Sequence, residues 1–371
     1  MKPMYVIAAI LVTMICWGIY GPVLHPGQVA FADGNKPGLD DGLRAFICVG
    51  IAYFLIAIVF PVTMLKMYGE SGEWTTGGVF WSLIAGAIGA IGALGVILAF
   101  GFGGRPVFVM PLIFGGAPVV NSFLTMYWSK SLKQFSPIFT AGLVMVALGA
   151  VTVLLTRPRH HGGSSLVAEG EWGAILWVIA AVAVVILCWG AYGPVLHRGQ
   201  MKMSGSRLRP LICVGLAYFL IAVVVPGLIL SGSTNDGSFN SFSGVMWSLF
   251  AGTAGALGAL GVIYAFNFGG KPIYVMPLVF GGAPVVNTAV SVIKAGEGAP
   301  DSPLFYAGLI LVAAGAVMVL VFAPKGHGPP QAAAPSGDDS SAGDSGASES
   351  RPVSGGAAGS DSIDSAGNES T

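Results

Sequence analysis

The chain has 371 residues, of which 54% are hydrophobic and 9% are charged, and its mean hydropathy is +0.78. Soluble domains carry roughly 25% charged residues, so this composition excludes an ordinary soluble protein. The basic residues are scattered among predicted loops and form no stripe that could bind nucleic acid. The composition indicates an integral membrane protein in a lipid bilayer.

Ten apolar segments follow one another along the chain, each near the length of about 20 residues that crosses a bilayer. They cover residues 4–24, 44–65, 81–100, 106–127, 137–156, 173–196, 209–230, 246–266, 272–293 and 303–323. The first segment also resembles a secretory signal peptide, since Lys2 precedes it and Ala30-Phe31-Ala32 mimics a cleavage site. Its twin lies in mid-chain, where no signal peptide acts, so we expect ten transmembrane helices.

The second half of the chain repeats the first. CWGIYGPVLHPGQ at 16–28 returns as CWGAYGPVLHRGQ at 188–200, and VMPLIFGGAPVVN at 109–121 returns as VMPLVFGGAPVVN at 275–287. Five spans per copy is an odd number, so the second copy must enter the membrane from the opposite side. The sequence therefore predicts an all-α membrane protein built from two inverted five-helix repeats, 1–157 and 172–325, joined by a linker at 158–171.

Charge sets the expected orientation, because Lys and Arg are favoured on the cytoplasmic side. With the N-terminus inside, ten Lys and Arg residues lie in cytoplasmic segments and six lie outside. We therefore expect both termini in the cytoplasm and the body in the cell (inner) membrane. Residues 326–371 are rich in Pro, Gly, Ala, Ser and Asp and are predicted to be a disordered cytoplasmic tail.

No apparatus for catalysis is visible in the chain. It has no Ser-His-Asp set, no HExxH and no phosphate-binding loop. The four cysteines, Cys16, Cys48, Cys188 and Cys213, lie inside predicted spans without CxxC spacing. We predict neither enzymatic activity nor a metal or cofactor.

Prolines inside two spans point to a binding site. Pro111 and Pro118 lie in the fourth span, and Pro277 and Pro284 lie at the same places in the ninth. A proline removes a backbone donor and crowds the preceding turn, and paired interruptions in corresponding helices mark the substrate sites of transporters. We expect broken helices near the bilayer midplane, although a proline can also only kink a helix for packing.

Helical spacing then defines one stripe of polar and aromatic residues on each of four helices. The candidate substrate-binding residues are Trp17, Tyr20, Phe114, Pro118, Asn121, Trp189, Tyr192, Phe280, Pro284 and Asn287. Polar groups inside a bilayer normally face a cavity or the bundle interior, although Trp and Tyr also form interfacial belts. Two histidines near the helix ends, His25 and His197, are candidates for ion coupling or for simple interfacial snorkelling.

Glycines of the third and eighth spans predict close helix packing. Gly86, Gly89, Gly92 and Gly95 match Gly252, Gly255, Gly258 and Gly261, and such tracks let another helix approach. The fifth and tenth spans carry no strong polar group, and we expect them to act as scaffold or as the face of a homodimer.

The chain resembles the drug/metabolite transporter (DMT, EamA-like) superfamily, and it is most similar to the glucose/ribose uptake branch. The resemblance rests on Trp17-Gly18 and Trp189-Gly190, on the small-residue third helix, and on Met110-Pro111 and Met276-Pro277, and it covers residues 4–323. It implies a cavity lined by helices 1, 3, 4, 6, 8 and 9.

We therefore predict a secondary transporter that moves a small polar solute by alternating access. A sugar uptake permease is the alternative within this class, and a non-transporting membrane scaffold or receptor is the alternative outside it. None of the ten spans contains Asp or Glu, so we expect facilitated diffusion or exchange before sodium or proton coupling.

Overall fold

The computed structural model describes residues 2–33, 35, 37–128, 130, 136–156, 171–232, 239–270, 272–295 and 302–322. Most of the predicted linker and the whole predicted tail lie outside these residues. The described residues form ten helices and no strand. They are α1 Lys2–Phe31, α2 Leu39–Tyr68, α3 Thr76–Gly101, α4 Pro106–Trp128, α5 Pro137–Leu155, α6 Glu171–Lys202, α7 Leu208–Ser231, α8 Phe242–Asn267, α9 Pro272–Ala295 and α10 Pro303–Phe322.

Seven of these helices, α1 to α4 and α6 to α8, are long and apolar enough to cross a membrane. The apolar stretches of the other three are shorter and cover Pro137–Val153, Leu278–Lys294 and Pro303–Val319. The fold is therefore all-helical, and its seven long apolar helices indicate a protein embedded in a membrane.

The expected breaks in the fourth and ninth helices are wrong. The helix α4 runs without interruption through Pro111 and Pro118, and α9 is likewise continuous from Pro272 to Ala295. A proline removes one hydrogen bond from the ladder and leaves the others. The continuous helix α4 packs closely on α10, since a Cβ on Gly115 would lie 2.1 Å from Val312 Cγ1.

Helical irregularity lies in α2 and α7 instead. Each contains a π-helical turn, Leu55–Val59 in α2 and Leu220–Val224 in α7, shortly before a proline. The prolines, Pro61 and Pro226, cannot donate to the carbonyl four residues earlier, and a wide turn relieves the crowding that their rings would cause there. The wide turns face small residues, because Gly215 of α7 lies against the turn of α2 and Gly50 of α2 lies against the turn of α7.

The two halves of the chain are interleaved. The first helix, α1, packs mainly on α8 and α9 of the second half, and α6 packs mainly on α3 and α4 of the first half. The helices α5 and α10 also pack on each other through glycines, with Gly142 against Gly315 and Gly149 against Gly308. One face of each predicted scaffold helix is therefore used inside the chain.

Both glycine tracks permit close contacts, as the sequence predicts. At one end of the track a helix backbone approaches, since a Cβ on Gly86 would lie 2.7 Å from Val214 Cα of α7. Gly252 approaches Val49 Cα of α2 in the matching way. Further along, the tracks face aromatic side chains that α1 and α6 supply, which builds the site described next.

Polar contacts hold the loop between α2 and α3 against the start of α7. The Glu70 carboxylate accepts from the backbone N–H of Arg207 at 2.8 Å and of Leu208 at 3.2 Å, and from the Ser206 hydroxyl. Arg207 and Arg209 also form ion pairs with it at 3.1 and 3.4 Å. Glu70 thus caps the N-terminus of a helix from the other half of the chain.

Candidate functional site: an aromatic cavity between the two halves

A cavity lies among α1, α2, α3, α6, α7, α8 and α9. Its lining consists of Trp17, Tyr20, Tyr53, Gly89, Trp189, Tyr192, Tyr218, Gly255, Ala259 and Phe280. A water molecule could be centred in about 40 Å³ of it, which is room for a few waters at most. In this conformation the cavity is therefore too narrow to hold a metabolite.

Two tryptophans are fixed by matched hydrogen bonds. Trp17 Nε1 donates to Gly255 O and Trp189 Nε1 donates to Gly89 O, both at 3.3 Å. Each indole lies on a glycine of the opposite half, because a Cβ on Gly258 would lie 2.1 Å from Trp17 Cδ1 and one on Gly92 would lie 2.3 Å from Trp189 Cδ1. With their donors occupied, the two indoles cannot donate these hydrogen bonds to a bound solute.

Four tyrosines complete the aromatic lining in repeat-related pairs. Tyr53 and Tyr218 stack with ring centroids 3.7 Å apart and planes 2° from parallel. Tyr20 meets Trp189 edge to face at 6.0 Å, and Tyr192 meets Trp17 in the same way at 6.4 Å. Edge-to-face contacts are a favourable aromatic geometry, so each tryptophan and its tyrosine hold one another in place.

The electrostatic character of the cavity is uniform. None of the ten described lining residues carries a charge. The hydroxyl groups of Tyr20 and Tyr192 are buried and have no hydrogen-bond partner within the described structure. A buried hydroxyl without a partner is costly, so these two groups are left unsatisfied in this conformation.

Of the ten predicted substrate-binding residues, five line this cavity: Trp17, Tyr20, Trp189, Tyr192 and Phe280. Phe114 lies behind them, fully buried, with its ring 6.3 Å from that of Trp189 and 6.4 Å from that of Phe280. Pro118 is buried in α4, whereas Pro284 lines a separate apolar groove between α9 and α10. The two prolines are therefore not brought to the aromatic cavity.

The two asparagines lie at helix contacts beside the cavity lining. Asn287 Nδ2 donates to Pro106 O at 3.0 Å, and its Oδ1 is buried without a hydrogen-bond partner. Its oxygen lies beside Gly21 of α1, and the oxygen of Asn121 lies beside Gly193 of α6 in the matching way. Their predicted role in solute binding stays a prediction.

The histidines lie inside helices, because α1 and α6 continue well beyond the predicted spans to Phe31 and Lys202. His25 packs edge to face on Phe100 at 5.4 Å, and His197 packs on Phe266 at 5.5 Å. Neither is among the described residues that line the cavity.

Sequence reasoning missed Tyr53, Tyr218, Gly89, Gly255 and Ala259 as lining residues. Both tyrosines lie in the repeated block AYFLIA, at 52–57 and 217–222, and each is a polar aromatic residue in the middle of an apolar span. That signal was available. The spacing of residues within one helix does not predict which helices pack together. It therefore could not show that α2 and α7 meet at these two rings.

A cation–π cluster lies at each of two ends of the helix bundle. At the first, the Arg198 guanidinium lies 4.0 Å from the Trp128 ring and 5.1 Å from the Trp81 ring. At the second, Lys294 Nζ lies 4.2 Å from the Trp247 ring and donates to Pro22 O at 3.1 Å. That carbonyl is free to accept because Pro26 has no N–H to offer it.

Comparison with known proteins supports the fold only. No family model and no curated protein matches the sequence. A solved structure described only as "Crystal structure of protein" is similar to 85% of this chain and to 96% of its own, with a TM-score of 0.53 and 14% sequence identity. At this identity the likeness extends to the helical architecture and not to activity.

Proposed function

We propose that the protein is a secondary transporter that binds a small solute in the aromatic cavity and moves it by alternating access. The observation that carries the proposal is that both halves of the chain supply residues to the cavity lining. Repeat-related pairs from both halves of the chain build the cavity, namely Trp17 with Trp189, Tyr20 with Tyr192, Tyr53 with Tyr218 and Gly89 with Gly255. A site of this kind at the repeat interface is where transporters with internal repeats bind solute.

Matched contacts support two inverted repeats. The indole of α1 bonds to a glycine carbonyl of α8, and the indole of α6 bonds to the equivalent carbonyl of α3, at the same distance of 3.3 Å. A twofold relation between two copies of one unit produces such reciprocal pairs, because each contact must then occur twice.

Contacts at the helix ends support ten crossings. Alternating crossings put the ends of α1, α3 and α9 on the side where α2 and α8 begin. Lys294 near the end of α9 contacts Pro22 in the last part of α1 and Trp247 near the start of α8, as this requires. Arg198 of α6, Trp128 of α4 and Trp81 of α3 meet at the other side by the same rule.

The finer assignments rest on the sequence. Membership of the drug/metabolite transporter superfamily is supported by the motif resemblance and is compatible with the helical fold. Cytoplasmic termini and insertion in the cell membrane are supported by the bias in Lys and Arg. A sugar permease is the second candidate, since the unpartnered hydroxyls of Tyr20 and Tyr192 could bond to sugar hydroxyls.

The test begins with a thermal-shift screen of the purified full chain, because a ligand that binds only the folded state raises its apparent stability. A stabilising solute is then measured by counterflow in proteoliposomes. Ala259→Phe should abolish counterflow by filling the cavity, since Ala259 lines it. Leu257→Phe is the matched control on the same helix, because Leu257 is 38% exposed on the outer surface. Equal counterflow in the two variants, or binding without any counterflow, would contradict the proposal.

A further inference from the structure

We infer that Gln28 and Gln200 are gate residues that close opposite ends of the aromatic cavity in turn. Gln28 holds one end closed in the conformation described here, and Gln200 makes the equivalent hydrogen bond at the other end in the alternate conformation. This inference rests on the proposed function and identifies the contacts that change during its cycle.

The two glutamines lie toward opposite ends of the helix bundle. Gln28 Nε2 donates to Ile97 O near the end of α3, whereas Gly199, the neighbour of Gln200, lies against Ser82 near the start of α3. Each glutamine follows the lining tyrosine of its own helix by about two turns. We call the two ends of the cavity the α1 end and the α6 end, after the helices that carry these glutamines.

The helices around the cavity form two groups that share one internal packing. In the first group α1 packs on α8 and α9 and α2 packs on α8, and in the second α6 packs on α3 and α4 and α7 packs on α3. A Cβ on Gly18 would lie 2.5 Å from Val286 Cβ in the first group, and a Cβ on Gly190 would lie 2.5 Å from Val120 Cβ in the second. The two indole bonds also lie within the groups and are both 3.3 Å long. Contacts inside the groups therefore obey the repeat symmetry.

Hydrogen bonds between the groups do not obey it. The bond from Gln28 Nε2 of α1 to Ile97 O of α3 is 3.1 Å long and joins the groups at the α1 end. Gln200 of α6 and Ile263 of α8 are the repeat-related pair. Both are described and buried, yet no hydrogen bond joins them, and Gln200 Oε1 has no partner among the described residues. The two groups are thus bonded through this pair at the α1 end only.

A pair of glycine–methionine contacts between the groups differs in the same direction. A Cβ on Gly21 of α1 would lie 2.5 Å from Met110 Cγ of α4. In the matching contact, a Cβ on Gly193 of α6 would lie 3.3 Å from Met276 Cε of α9. The first glycine lies against the stem of its methionine and the second only against the tip. The groups are therefore closer together at the α1 end than at the α6 end.

The unpaired glutamine supplies a reason for the groups to move. Gln200 is only 3% exposed, and a buried amide without its hydrogen bonds is costly. A rigid-body tilt of one group against the other that separates Gln28 from Ile97 brings Gln200 toward Ile263, because the two pairs lie at opposite ends. One bond then replaces the other, so the two conformations differ little in free energy and a solute can shift the population between them.

The test measures which end opens. In the purified full chain without the four native cysteines, Met110→Cys reports the α1 end and Met276→Cys reports the α6 end through their rates of reaction with a small hydrophilic thiol reagent. We expect Met276→Cys to react faster. Gln28→Met keeps the size of the side chain but removes its donor, so it should raise the rate at Met110→Cys about fivefold, the effect of losing one typical hydrogen bond.

The repeat-related variant should have the opposite effect. Gln200→Met removes a bond that forms only in the alternate conformation, so it should lower the rate at Met110→Cys about fivefold. Thr13→Val is the matched control, because the bond from Thr13 Oγ1 to Gly258 O at 3.2 Å is also buried but lies within the first group. Valine stands at the repeat-related position, Val185, and this variant should leave both rates unchanged.

A cysteine in the cavity lining gives a second measurement if Met110→Cys does not fold. In membrane vesicles, Ala259→Cys should react with an impermeant thiol reagent faster from the face at which α6 ends than from the face at which α1 ends. Gln28→Met should reduce this difference and Gln200→Met should increase it.

Shifts in the same direction for both glutamine variants, no shift for either, or a shift for Thr13→Val as large as that for Gln28→Met overturns the inference. Its failure is separable from that of the proposed function. Opposite shifts in a protein that shows no counterflow contradict transport and leave the gate intact. Counterflow that Ala259→Phe blocks, together with unshifted rates in both glutamine variants, contradicts the gate and leaves transport intact.

Discussion

Single glycines decide whether the cavity can form. Trp189 lies so close to Gly92, and Trp17 to Gly258, that no other residue fits at either position without moving an indole. An added methyl group in a well-packed interior forces side chains from their preferred rotamers. These glycines therefore contribute to the site because they have no side chain, which leaves room for the indoles.

Gly92→Ala should lower the free energy of unfolding by about 1 to 3 kcal/mol and weaken the bond from Trp189 Nε1 to Gly89 O. Thermal unfolding of the purified protein measures the first effect, and tryptophan fluorescence measures the second. Gly227→Ala is the matched control, since nothing lies within 4 Å of a Cβ there. A loss of stability as large in the control as at Gly92 would refute the explanation.

The Asn287→Ala variant tests whether Asn287 only links two helices or also binds the solute. The change removes the bond to Pro106 O at 3.0 Å and should cost about 1 kcal/mol of stability. The sequence further predicts weaker solute binding in this variant and in Asn121→Ala. A lower melting temperature with unchanged solute affinity would leave Asn287 only as a tie between α9 and α4.

The aromatic half of the site could be predicted from the sequence, because Trp17, Tyr20 and their twins combine amphipathic side chains with positions deep inside apolar spans. Tyr53 and Tyr218 carry the same signal, since each is an amphipathic aromatic residue in the middle of an apolar span, but the pattern within one helix does not assign them to the same site. Their membership depends on which helices cross, and hydrophobic periodicity carries no such information.

The prolines show that the sequence of one helix does not predict whether that helix breaks. The sequence predicts disruption at Pro111 and Pro118, yet α4 is continuous, whereas Pro61 and Pro226 follow wide turns that nothing predicted. A proline removes the same donor everywhere. Whether the helix breaks, widens or continues depends on the room beside the displaced carbonyl, which neighbouring helices determine.

The cap on α7 makes stability depend on pH. Burial raises the pKa of the Glu70 carboxyl, but hydrogen bonds from Ser206 and from the N–H groups of Arg207 and Leu208 outweigh it and leave the pKa below its ordinary value of 4.5. The folded state thus favours the carboxylate. Its contribution is complete above pH 4.5 and is lost as the pH falls through the lowered pKa.

Glu70→Gln should therefore lower the melting temperature at neutral pH, by the equivalent of about 1.5 to 3 kcal/mol, and should remove part of the fall seen in acid. Thermal unfolding between neutral pH and pH 3 measures both. Glu73→Gln, at an exposed position three residues along the same loop, should behave like the wild type. Parallel pH profiles for wild type and Glu70→Gln would exclude the cap as their source.

Topology is the property of the whole molecule that most needs a direct test. In a background without the four native cysteines, Asn35→Cys should react with an impermeant thiol reagent added outside cells, and Ser204→Cys should not. These positions follow α1 and α6, which are repeat twins. Ser204 already adopts a φ of 55° and is exposed, so cysteine fits there with little added strain. Equal labelling of the two would remove the inverted arrangement.

The exchange of first helices between the halves has a consequence for the origin of the chain. Because α1 packs on the second half and α6 on the first, a single five-helix unit could neither bury its own first helix nor close the cavity. We therefore infer that an ancestral five-helix unit paired with another copy of itself before duplication fused the pair. Fusion freed the two ends to diverge. The cation now comes from Arg198 of α6 at one end and from Lys294 of α9 at the other, a division of labour that two identical subunits could not have encoded.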